Sequence, residues 1–126
     1  MAMRSALGRA RGLGSAKNGV GHFYQTTITA LGLVPLSLWF VISMIGLSHL
    51  DYAHVKGWMS SPGNASLMLL FVLMVIHHSQ LGLQMVIEDY VHGEHVKFAA
   101  VAAVKLGAAF LAVFMAVSVL KVAIGV

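Results

Sequence analysis

Two adjacent histidines, His77 and His78, sit near the middle of a long apolar run that ends in two carboxylates and a phenol, Glu88, Asp89 and Tyr90. An ionisable side chain deep in such a run is costly to bury and points to a function. One chemistry that suits it is haem ligation, since neutral imidazole is a common axial ligand of iron. The plainer reading is a histidine hydrogen-bonded to a neighbouring helix. Adjacent residues on a helix point about 100° apart, so His77 and His78 cannot both face one iron. One turn beyond His78 stands Gly82, which leaves room for a flat macrocycle, whereas bulky Leu81 holds the same offset from His77. The spacing therefore favours His78. His22 lies just before the preceding apolar run and His49 at its far end, each about half a membrane thickness from His78 in depth. Neither reaches the same iron, so a second histidine ligand must come from another subunit. The remaining options are a five-coordinate haem or none.

The end of the run carries a second pattern. Carboxylates in the last turn of a helix face the negative end of its macrodipole, a mildly unfavourable placement. Solvation at a membrane boundary accounts for it, and so does a quinone site. Asp89, eleven residues after His78, falls within about 20° of the same helix face and roughly 16 Å further along the axis. The Tyr90 hydroxyl is suited to donate to a quinone carbonyl, with Asp89 holding that hydroxyl or passing protons. Tyr90 also reads as an ordinary interfacial tyrosine.

The elements that position these residues follow from composition. The chain has 126 residues, enough for one domain. Hydrophobic residues make up 59% of it and charged residues 10%, against about 25% charged in a soluble domain. A soluble fold this short has no interior for so much apolar surface; a bilayer does. Three apolar runs, from about Ile28 to Leu50, Ala65 to Ile87 and Phe98 to Leu120, each approach or exceed the roughly 20 residues that cross about 30 Å of hydrocarbon. They predict an all-α integral membrane protein with helices over about 24–50, 65–90 and 97–122, in a domain spanning 22–126 after a basic tail over 1–21. The connection from Asp51 to Asn64 has a turn composition, and the one from Val91 to Lys97 is short enough to make the second and third helices antiparallel neighbours. Pro35 is expected to bend the first helix.

Orientation follows from the basic residues. Arg4, Arg9, Arg11 and Lys17 in the tail and Lys97 in the second connection outnumber Lys56 and Lys121 on the other side. The tail is therefore placed in the cytoplasm of a bacterium, its helices in the inner membrane; an Arg-rich, acid-poor tail also resembles a mitochondrial transit peptide, which would put the protein in the mitochondrial inner membrane. The formal net charge is +4, but half of the basic residues sit in the tail and the basic residues form no groove-sized patch, so no nucleic acid is expected. With no cysteine, disulfides and thiolate metal sites are excluded. Ala99, Ala103 and Gly107 form a small-residue stripe suited to helix packing. Lys105, inside the third run, is expected to snorkel. The eight methionines follow no period and read as packing or lipid-facing residues.

His78-x-x-x-Gly82 followed by Val86-x-x-Asp89-Tyr90 resembles the motif of the hydrophobic membrane anchor of succinate dehydrogenase, the D-type subunit. The stretch Lys17-Asn-Gly-Val-Gly-His22-Phe23-Tyr24, with Ile28-Thr29-Ala30 and Leu33-Val34-Pro35-Leu36, is similar to the entry of the first helix in alphaproteobacterial members. The resemblance runs from about Ser15 onward. It implies half of a heterodimeric helix bundle that holds a haem b, with His78 as one axial ligand and the other from a second anchor, a C-type cytochrome b subunit. It also implies docking of a flavoprotein and an iron–sulfur protein, and ubiquinone at Tyr90 and Asp89. Family members usually carry an Arg two residues before the Thr-Ala pair, where this chain has Thr27. By itself the chain is expected to catalyse nothing. An anchor of a quinol:fumarate reductase fits the same residues, and a non-redox structural or transport membrane protein fits the three spans.

Overall fold

Four helices are present in the computed structural model of the protein, which describes residues 17–125. Helix α1 covers Lys17–Leu47, α2 Tyr52–Ser60, α3 Pro62–Tyr90 and α4 Glu94–Ile124. Three of them are long and apolar enough to cross a membrane, with mean hydropathies of 2.1 for α1, 1.7 for α3 and 2.2 for α4. At about 1.5 Å per residue even the 29 residues of α3 reach about 43 Å, well beyond the ~30 Å of hydrocarbon.

The boundaries have local causes. Pro62 opens α3 at a position where a missing N–H costs nothing, and the backbone N–H of Val91 closes it on the Ile87 carbonyl. Glu94 in the first turn and Lys121 in the last suit the dipole of α4. Gly125, at φ +84°, ends it in the left-handed conformation that glycine adopts without strain.

Two expectations are corrected. The first helix starts at Lys17 rather than near residue 24, so it takes in the last residues of the expected tail; residues 1–16 of that tail lie outside the described residues. The connection after α1 is not a plain turn but holds α2. Its N-cap is Asp51, whose carboxylate accepts from the His54 backbone N–H at 3.1 Å. The His54 ring nitrogen, 2.6 Å from the same oxygen, holds the Asp51 carboxyl below the usual carboxylate range.

Helix α3 is the centre: α1 and α4 pack on it rather than on each other, and α2 closes one end beneath α3 and α4. The core lies at that end. Met59, Met68, Val72 and Ile76 are buried among Trp39, Phe40, Met44, Ala108, Ala112 and Val119. Trp39 stacks on Trp58 with ring centroids 5.6 Å apart, and Phe40 stacks on Phe71 at 4.7 Å. Toward the other end of α3, polar residues line a cleft between α1 and α4. No residue of α4 is buried. Its Ala99–Ala103–Gly107 stripe faces outward, and the small residues that meet the core are Ala108 and Ala112.

Helix α1 lies close against α3 at Gly32, where an added Cβ would stand 2.8 Å from both Sδ and Cε of Met74. Met74 is flexible enough to swing aside for one methyl group, so Gly32→Ala is expected to be absorbed. Gly32→Leu overpacks the crossing and is expected to destabilise the protein by about 1–3 kcal/mol, read as a lower thermal transition in detergent.

Candidate functional site

The site is built on the half of α3 away from the core. His78 is half-buried, and its Nδ1 lies 2.9 Å from Oγ1 of Thr29 on α1. Thr29 is 7% exposed, so no water competes for this contact. The plain reading of His78, a bond to a neighbouring helix, is therefore realised, but at one ring nitrogen. Nε2 has no partner among the described residues and is not enclosed. One turn on, Gly82 is exposed, and a Cβ added there would meet nothing within 4 Å. A spare imidazole nitrogen thus stands beside a helix surface with no side chain on it. These features fit a haem, whose iron takes a neutral imidazole nitrogen and whose ring needs a flat apolar wall. Among the described residues, no three His, Cys, Asp or Glu side chains converge where they could hold a bare metal ion.

The other histidines lie elsewhere. His77 is exposed and turned toward the space between α1 and α4. His22 is inside α1, not ahead of it; seven residues separate it from Thr29, about 10 Å along the axis. Its Nε2 is enclosed without a partner. His49 follows the end of α1, twenty residues from Thr29 and so about 30 Å away in depth. Neither comes to the level of His78.

Between α1 and α4, over α3, lies a cleft of about 1180 Å³. Its walls are unusually polar for a membrane span, including His22, Gln25, His77, Gln80, Glu88 and Lys105. Lys105, read from sequence as a snorkelling residue, is exposed on this wall. Along α3 runs a ladder that sequence reading missed: Gln80 Nε2 donates to Gln84 Oε1 and Gln84 Nε2 donates to Glu88 Oε1, each at 2.9 Å. Its signal was available, since three polar residues at four-residue spacing must share a face. The ladder satisfies the Gln80 side chain, which is 8% exposed.

Asp89 stands at the mouth of the cleft, exposed. Tyr90 is 75% exposed on the adjoining face, where its hydroxyl is open to the surroundings. The two side chains are not hydrogen-bonded to each other. Thr27 is half-buried.

A model of the succinate dehydrogenase/fumarate reductase transmembrane subunit family matches residues 1–120. Among curated proteins, the chain is 33% identical over 103 residues to the succinate dehydrogenase hydrophobic membrane anchor subunit of Rickettsia bellii, covering 82% of each chain. It is 31% identical over 103 residues to the protein of the same name from Paracoccus denitrificans, covering 82% of this chain and 80% of the relative. The corresponding Rickettsia conorii protein is 28% identical over 89 residues, 70% of this chain and 71% of its own. No solved structure matches the chain.

Proposed function

Since the chain belongs to the succinate dehydrogenase/fumarate reductase transmembrane subunit family, we propose that it is the membrane anchor of a succinate:ubiquinone oxidoreductase. The relatives' names favour succinate oxidation over fumarate reduction as the direction. The observation that carries the reading is His78: mid-span on α3, oriented through Nδ1 by Thr29, with Nε2 free beside the bare surface at Gly82. Nε2 is the atom that would bind the iron of a haem b. When bound, the haem supplies one-electron storage between the quinone and the iron–sulfur centres. Because His22 and His49 lie away from His78 in depth, a second histidine ligand would have to come from another subunit, a C-type cytochrome b anchor.

This chain's residues then divide the work by depth. In the span, α3 carries His78 and α1 orients its ring through Thr29, leaving Nε2 open. At the boundary, the exposed Tyr90 hydroxyl donates a hydrogen bond to a ubiquinone carbonyl. Asp89, in the same turn, passes protons from water toward the quinone. The basic tail and Lys97 beside the short α3–α4 connection support a cytoplasmic position for this end in a bacterial inner membrane, where an iron–sulfur protein and a flavoprotein would dock.

Purification in mild detergent tests the whole reading. A tagged chain is expected to bring with it a flavoprotein, an iron–sulfur protein and a second small apolar subunit, and to show a b-type band on reduction. A chain that emerges alone overturns it. The quinone site has its own test. Tyr90→Phe removes one hydrogen-bond donor and is expected to slow ubiquinone reduction about two- to tenfold, while succinate oxidation by an artificial dye stays unchanged.

A further inference from the structure

We propose that Thr29 fixes the tautomer of His78, keeping the ring proton on Nδ1 so that Nε2 is always the free donor atom. This rests on the reading of His78 as a haem ligand and names the residue that makes it one.

A neutral imidazole carries one proton, and the nitrogen that keeps it cannot bind a metal. If the Thr29 hydroxyl donated to Nδ1, the proton of His78 would lie on Nε2 and the ligand atom would be blocked. The surroundings of the hydroxyl decide against that. Thr29 Oγ1 lies 2.8 Å from the Gln25 carbonyl oxygen and 3.0 Å from that of Thr26, both on its own helix. A threonine inside a helix commonly donates its single proton to the carbonyl four residues back. With that proton committed, Oγ1 faces His78 Nδ1 at 2.9 Å as an acceptor only. The ring nitrogen must then donate, and Nε2 keeps its lone pair. Burial of Thr29 keeps water from supplying another arrangement.

Two consequences follow. The contact joins α1 to α3, so the ring plane is set by two helices instead of by the rotamer alone. It also makes the ligand a stronger electron donor, because an Nδ1–H that donates a hydrogen bond gives the imidazole more basic character.

The test uses the intact complex from native membranes, with Thr29→Val, Thr29→Ser and His78→Ala compared with the unaltered protein. Valine keeps the shape of threonine and removes the acceptor. Thr29→Val is expected to speed haem transfer to an apo-globin scavenger by about 10–100-fold. It is also expected to raise the haem midpoint potential and shift its low-spin electron paramagnetic resonance signal, because a weaker donor favours ferrous iron. Thr29→Ser, which retains the hydroxyl, is expected to restore all three. A purely structural role for Thr29 moves none of the spectroscopic readings in an assembled complex. If Thr29→Val leaves transfer rate, potential and spectrum unchanged while His78→Ala removes the haem, the tautomer inference falls and the ligand reading stands. If His78→Ala keeps the haem, the ligand reading falls first. Should the valine complex fail to assemble, Thr29→Ala removes the hydroxyl without adding bulk, and the same quantities decide.

Discussion

His78→Ala is expected to abolish the b-type band of the reduced complex while the complex itself still assembles. Loss of the band follows from the absence of any substitute. His77 is turned into the cleft between α1 and α4, about 100° from its neighbour around the helix. His22 lies about 10 Å away along the axis. Assembly survives because the side chain is half-buried and makes one cross-helix bond. Once the ring is gone, Thr29 Oγ1 keeps its bonds to the Gln25 and Thr26 carbonyls, so no buried polar group is stranded. The aromatic core at the other end of α3 is untouched. Difference spectra at equal flavin content check the outcome; His77→Ala, in parallel, is expected to retain the band. A band that persists in His78→Ala overturns the ligand assignment.

Gly82→Leu is the second large effect, and it separates the needs of this chain from those of the haem. A glycine within a helix is costly, roughly 0.5–1 kcal/mol against alanine. Here nothing within the described residues explains it: an added Cβ meets no atom within 4 Å. Leucine at this position therefore leaves the fold of the chain intact and raises its helix propensity. Its side chain projects over the helix face one turn from His78, into the space a macrocycle needs. The expected result is a complex of normal subunit composition with most of its haem lost. Gly82→Ala, with a single methyl group, is expected to lose less. Haem-to-flavin ratios across glycine, alanine and leucine give the measurement. A flat series shows that the ring does not lie against this face.

Much of this was legible in the sequence because hydrocarbon thickness imposes a length on every apolar crossing. The three spans needed only counting. His78 was separable from His77 because helical angle and the position of Gly82 are local quantities. Other features depend on how helices meet, and no local pattern carries that. The partnership of Thr29 with His78 requires the register between α1 and α3. The cleft requires the placement of α1 and α4 on either side of α3. The alanine and glycine stripe of α4 was legible as a period, but spacing alone does not say which side it faces, and the fold turns it outward. Helix α2 hid because Gly57, Ser60 and Ser61 look like a turn, while its stability comes from the Asp51 cap and from Trp58 and Met59 docking into the core. The early start of α1 hid behind Gly19 and Gly21.

The stacked rings tie α1 to α2 through Trp39 and Trp58 and to α3 through Phe40 and Phe71. The His78–Thr29 bond ties α1 to α3 a second time, and the short connection between Tyr90 and Glu94 ties α3 to α4 at the opposite end. The bundle is thus a folded rule whose joints alternate between its ends, so that α1 reaches α4 through α2 and α3 rather than directly.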